Sequence, residues 1–243
     1  MQRLLDLAGP DRSLLRDRAL GATLAFVAGA TNAGGYLAVG QYTSHMTGIV
    51  SLLADDLALG RFALAGAAGA ALVAFTAGAM TTAISVNWAR RHALRSLFAI
   101  PLLLEALLLL VFGMLGGVLA GYTAFVVPAT VLILCFLMGL QNAVITKVSK
   151  AEIRTTHVTG LVTDIGIELG RLAYINRKEL GEPVRANRER LGVHLLMFTC
   201  FLTGGVAGAL GFKAIGYLAT LPLAALLALL AMKPIAADLT TAA

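Results

Sequence analysis

The sequence predicts an all-α integral membrane protein: six transmembrane helices plus two re-entrant half-helices, arranged as two inverted-topology repeats of three spans each. Three observations predict it. First, 58% of the 243 residues are hydrophobic and 13% charged, about half the charged share of a soluble domain, and the apolar residues fall in unbroken runs of membrane-spanning length. Second, Lys and Arg gather at the ends of those runs, where topology and lipid headgroups account for them. Third, a polar phrase occurs twice, as "TSHMTGIVSLLADDLALGR" from Thr43 and "TTHVTGLVTDIGIELGR" from Thr155.

The elements follow in chain order. Residues 1–19 mix Leu with Arg and Asp and read as a cytoplasmic amphipathic segment lying along the membrane surface. Arg3, Arg12, Arg16 and Arg18 precede a run of spanning length, and no small-residue cleavage pattern with a soluble domain follows, so the expectation is no cleavable signal. Spans are placed at 20–40, 63–87, 97–119, 123–146, 191–211 and 214–232. The first membrane repeat covers 20–120, with 43–61 re-entering from outside. The second covers 121–232, with 155–171 re-entering from the cytoplasm and a basic loop at 171–190. Residues 233–243 form a cytoplasmic tail. Small residues crowd the spans, as in "AGAAGAALVAFTAGAM" and "TGGVAGALG", and let helix backbones approach closely in lipid.

Charge decides between partial and full insertion of the repeated segments. With neither crossing fully, 17 of the 19 Lys and Arg lie on one side and only Arg61 and Lys213 on the other. That positive-inside asymmetry makes both termini cytoplasmic. Full crossing would move the "WARRHALR" turn outside and weaken it. Trp88 fits an inner-interface anchor, and Tyr42 and Tyr122 an outer one. Cys135 and Cys200 sit within apolar runs and read as packing residues, without metal spacing or a disulfide framework.

The duplication extends beyond the opening phrase. "AGATNA" (28–33) matches "MGLQNA" (138–143), pairing Gly29 with Gly139 and Asn32 with Asn142. "SHMTG" matches "THVTG", pairing His45 with His157, Thr47 with Thr159 and Gly48 with Gly160. Ser51 then pairs with Thr163, and Asp56 with Glu168. "FTAG" (75–78) resembles "LTGG" (202–205), and "IPLLLEALLLL" (100–110) echoes "LPLAALLALL" (221–230). Matches in the same order indicate internal duplication. An odd number of crossings per half then inserts the halves in opposite orientation, an architecture that recurs in transporters with a site at the repeat interface.

Thr43, Ser44 and Thr47 are candidate caps for a helix running from about Met46 to Leu59, and Thr155 and Thr156 for one from about His157 to Gly170. Two half-helix amino ends meeting near the midplane favour an anion or a polar acceptor. The expected solute-binding residues are therefore His45, Thr47, Gly48, His157, Thr159 and Gly160, the glycines admitting close backbone approach. Asn32, Asn142, Ser51 and Thr163 support them. Each Asn either bonds the unwound backbone of its own repeat or joins two helices. The competing reading of the His-x-Thr-Gly pairs is a surface helix-start signal.

Asp55, Asp56, Asp164 and Glu168 lie toward the carboxyl ends of the half-helices, where the helix dipole disfavours them. They either pair with Arg61 and Arg171 or serve coupling. Glu105, inside "PLLLEALLL", is an intramembrane carboxylate and by default a functional candidate; His194 is a candidate partner. Asp56, Asp164, Glu168 and Glu105 form the coupling set.

The paired "GATNA…HMTG" and "GLQNA…RTTHVTG" elements resemble the bacterial YoaK-like membrane proteins, over about residues 20–232. The resemblance implies a polytopic bacterial inner-membrane protein and supplies no reaction. That family's pattern often has Asn after the first Thr-Gly, where this chain has Ile49. The leading expectation is a small-solute carrier or channel, with the lipid bilayer and a small molecule as partners, no nucleic acid, no metal and no cofactor. Small-residue faces also suit homo-oligomerisation. An enzyme is not expected, since H-E-x-x-H and G-x-S-x-G are missing from the sequence. The alternative is a non-transporting membrane scaffold or stress-related protein, which predicts a dry repeat interface.

Overall fold

The structure is a computed structural model that describes residues 13–118, 123–148, 158–176 and 182–242. Among these, every regular element is helical. The helices are α1 (Leu14–Val39), α2 (Met46–Ala58), α3 (Phe62–Arg91), α4 (Ala99–Val118), α5 (Thr123–Val148), α6 (Val158–Ala173), α7 (Arg188–Ile215) and α8 (Thr220–Ala242), with a 3₁₀ turn at Gly216–Ala219.

Local chemistry sets the boundaries. The Ser13 hydroxyl accepts the Arg16 amide and starts α1, satisfying one of the donors that a first turn leaves unpaired. Gly40, at φ 73°, ends it in the left-handed conformation, which costs glycine little. α1 thus takes up residues 14–19, which the sequence reading assigned to a separate surface segment; residues 1–12 lie outside the described residues. The short α2 closes in a Schellman turn, with the Arg61 amide donating to Asp56 O and the Gly60 amide to Leu57 O. Asn187 caps α7 through the Arg190 amide.

Among the described residues, five helical stretches are long and apolar enough to cross a membrane: Leu14–Val39, Phe62–Arg91, Ala99–Gly116, Val127–Val148 and Arg188–Thr240. The last contains both α7 and α8, broken at Gly216. Large apolar side chains point outward on these helices, among them Val73, Ile84, Met114 and Leu210. A contiguous apolar exterior is costly in water and natural in lipid. The chain has the build of a multi-pass membrane protein.

The most extensive helix pairings are α1 with α7, α3 with α5, and α4 with α8, while α2 packs on α3 and α6 on α7. The main core gathers Leu20, Leu24, Leu102, Leu109, Leu137 and Met138. Glycine permits the two closest crossings. A Cβ on Gly29 would stand 2.0 Å from Phe201 O, and one on Gly204 2.0 Å from Phe26 O. A Cβ on Gly139 would stand 1.9 Å from Phe75 O, and one on Gly78 1.9 Å from Phe136 O. Backbone meets backbone at both crossings, the packing mode that small residues allow in lipid.

These contacts also correct a register. Gly29 and Phe26 of α1 correspond to Gly139 and Phe136 of α5, and their partners match as Phe201 with Phe75 and Gly204 with Gly78. The sequence reading aligned "FTAG" with "LTGG", one residue out. The shared Thr and Gly of the two strings drew that alignment, whereas the packing aligns the residues that carry the crossing.

Candidate functional site

Between Gly40 and Met46 the chain is not helical. The Ser44 hydroxyl donates to Asn32 Oδ1 at 3.0 Å, so α1 holds the break through a side chain rather than through the backbone. Tyr42 stacks on Tyr36 with ring centroids 4.6 Å apart. His45 occupies the N-cap position of α2 without a side-chain cap bond. Thr43, expected as a cap, is instead buried, and its hydroxyl has no hydrogen-bonding partner among the described residues.

Gly48 makes room within its own segment. A Cβ there would lie 2.3 Å from His45 Cδ2, so the imidazole lies over the first turn of α2, in the space a larger residue would take. The sequence reading gave that space to a solute or a facing helix. Ile49, where the YoaK-like pattern often has Asn, is buried with Ala71, Val131 and Cys135. An apolar residue suits that position.

In the second copy the described helix runs over Val158–Ala173 and includes Thr159 and Gly160. Thr155, Thr156 and His157 lie outside the described residues. Ser51 and Thr163 donate to Thr47 O and Thr159 O, at 3.0 and 2.9 Å. Both supporting hydroxyls therefore engage their own helix backbone, in the same way in each half. Asn142 Nδ2 donates to Met138 O at 2.9 Å.

A cavity of about 530 Å³ brings the two copies together. From the first half, Asn32, Ser44, His45 and Thr47 line it; from the second, Asn142 and Thr159. Phe75 and Phe201, the equivalent residues at the two glycine crossings, add an aromatic wall, and Tyr42 lines it too. Tyr42 therefore faces the cavity as well as the exterior. Among the described residues that line it there is no Asp, Glu, Lys or Arg. The size falls within the range of small-molecule sites, about 300–1,000 Å³. Hydroxyls, amides and an imidazole offer donors and acceptors, set between apolar rings.

The carboxylates stand elsewhere. Asp56 is 6% exposed and pairs with Arg61 at 2.8 Å; Glu168 is 2% exposed and pairs with Arg171, also at 2.8 Å. Glu168 Oε2 also accepts the Asn187 amide at 2.7 Å, fixing the start of α7 to α6. Asp164 Oδ2 faces Arg190 at 3.3 Å and His194 Nε2 at 3.8 Å. Asp55 is exposed. Glu105 is bound by Gln141, whose Nε2 donates to Glu105 Oε1 at 2.7 Å. Its expected partner His194 faces Asp164 instead, one helix away. Gln141 went unremarked in the sequence although it sits inside the quoted "GLQNA"; its place beside Asn142 was the available signal. Among the described residues no cluster of His, Cys, Asp and Glu is arranged to hold a metal ion.

A family model described as "Protein of unknown function (DUF1275)" matches residues 20–233. The chain belongs to the DUF1275 family. The match takes in both Thr-Gly segments, the cavity and both glycine crossings of this DUF1275 protein. Neither a curated protein nor a solved structure matches the chain.

Proposed function

We propose that this DUF1275 protein is a carrier or channel for a small polar or anionic solute, held where the two Thr-Gly turns face one another. The observation that carries the reading is the shared cavity, lined by matching residues from both copies of one motif: Asn32 with Asn142, Thr47 with Thr159, and Phe75 with Phe201. A duplicated phrase that served only as a helix start would have no reason to line one space from both halves. The scaffold reading requires a dry interface, whereas this lining carries hydroxyls, amides and an imidazole from both halves.

The finer architecture belongs to the same proposal. Six crossings, with α2 and α6 re-entering from opposite faces, give two inverted halves. Supporting this are the exchanged packing of α1 on α7 and α5 on α3, the matched glycine crossings, and the matched pairs Asp56–Arg61 and Glu168–Arg171. The charge asymmetry favours both termini on the cytoplasmic side of a bacterial inner membrane, in keeping with the resemblance to YoaK-like proteins. The described lining has no carboxylate to neutralise a cation and carries a helix amino end at Met46 and Thr47 without a side-chain cap, whose positive dipole end favours anions and polar acceptors. No catalytic role is assigned.

The test is protein-dependent solute flux. Proteoliposomes are challenged with a panel of glycerol, urea, nitrate and inorganic phosphate, and swelling or tracer uptake is followed. At least one solute should move faster than in protein-free liposomes, and Thr47→Phe should abolish the difference by filling the cavity. Equal rates across the panel, or flux indifferent to a folded Thr47→Phe variant, would remove the proposal.

A further inference from the structure

We infer that Glu105 and Gln141 form a buried proton-binding site, with Glu105 held as a neutral carboxylic acid. Both side chains are 0% exposed. They are joined across α4 and α5 by one hydrogen bond, from Gln141 Nε2 to Glu105 Oε1 at 2.7 Å. What remains on each is a single oxygen, Glu105 Oε2 and Gln141 Oε1, and neither has a partner. Among the described residues no Lys, Arg or His stands within ion-pair range of Glu105.

Hydrogen-bond accounting decides the protonation state. An ionised Glu105 leaves two buried acceptors unsatisfied and an uncompensated charge in the helix core, each of them costly. One proton on Oε2 removes all three problems. Oε2–H donates to Gln141 Oε1 while Gln141 Nε2 donates to Oε1, and the pair closes as a cyclic acid–amide dimer. No other side chain is required.

The site breaks the symmetry of the two halves. The position matching Gln141 is Thr31, whose hydroxyl is buried without a partner, and the position matching Glu105 is Leu226. Packing of the duplicated fold therefore does not demand an acid here. Gln141 directly precedes Asn142, which lines the cavity, so a proton leaving Glu105 breaks a bond one residue from the cavity wall. The inference concerns proton binding and stands whether or not a solute passes.

Infrared spectroscopy of the purified protein in lipid at pH 7 tests it directly. Selective ¹³C-carboxyl labelling of Glu should shift a carboxylic-acid C=O band in the wild-type chain. Glu105→Gln should remove that band, and Gln141→Leu should move it to higher frequency as the hydrogen bonds to the acid are lost. An absence of any label-sensitive acid band in the wild type overturns the inference, as does a band that survives Glu105→Gln. Should Glu105→Gln fail to fold, the labelled wild type and Gln141→Leu still decide: a band unmoved in Gln141→Leu rejects the pairing.

Discussion

Asp56 and Arg61 show at the residue scale how a charge is kept inside this fold. The Schellman turn that ends α2 carries Arg61 back over the helix, so its backbone amide meets Asp56 O and its guanidinium meets the Asp56 carboxylate. Removing the cation alone leaves a nearly buried carboxylate unpaired, which costs more than losing both members. Arg61→Gln should destabilise the protein by about 1–3 kcal/mol, and adding Asp56→Asn should restore part of that loss. Thermal unfolding in detergent reads the double-mutant cycle; strictly additive effects would show that the pair is not coupled. Glycines divide the same way. Gly139→Ala drives a Cβ to 1.9 Å from Phe75 O, whereas Gly66 and Gly69 have nothing within 4 Å of theirs. Gly139→Ala should lower stability by about 1–3 kcal/mol or more, and Gly69→Ala should leave it unchanged or raise it slightly. Equal midpoints for Gly139→Ala and Gly69→Ala would contradict the close crossing.

At the scale of the element, the short helices are where the sequence was most legible. A thirteen-residue α2 beginning at Met46 and an α6 described over Val158–Ala173 lie where the duplicated phrase put them, because His-Thr-Gly polarity and the following apolar run mark a short helix by composition alone. What caps that start was not legible. Thr43 turned inward and His45 took the N-cap position, since the choice among neighbouring polar residues depends on the direction in which α1 delivers the chain. The bond from Ser44 to Asn32 fixes that direction. Asn32→Ala should loosen the break, at a cost of about 1 kcal/mol for the lost hydrogen bond, and should speed amide exchange through residues 42–48 while leaving α7 protected. Uniform acceleration over the whole chain would instead mean that Asn32 acts on global stability.

Across the whole molecule, the helices long and apolar enough to span a membrane follow from hydropathy, which is a one-dimensional property. Which helices pair is not one-dimensional. The sequence reading matched "FTAG" with "LTGG" because identical letters lay there, while the structure shows that Phe75 with Gly78 and Phe201 with Gly204 carry the crossings. The Glu105–Gln141 bond was hidden for a related reason: it depends on the rotation of α4 about its axis, which an all-round apolar helix does not reveal. Of the residues the sequence singles out, His45, Thr47, Thr159, Asn32 and Asn142 line the cavity, while Phe75 and Phe201 gave no signal, since Phe in an apolar run has none of its own. On the proposed function, both Thr-Gly turns face one water-filled space inside the membrane. Cysteine accessibility at Thr47→Cys and Thr159→Cys tests it most directly, in chains whose own Cys135 and Cys200 are replaced by Ala, with a membrane-impermeant maleimide applied to right-side-out and inverted vesicles. Both cysteines should react from at least one side, and reaction at either should slow the flux of whichever solute is transported. Two folded variants whose cysteines stay unreactive from both sides would contradict it.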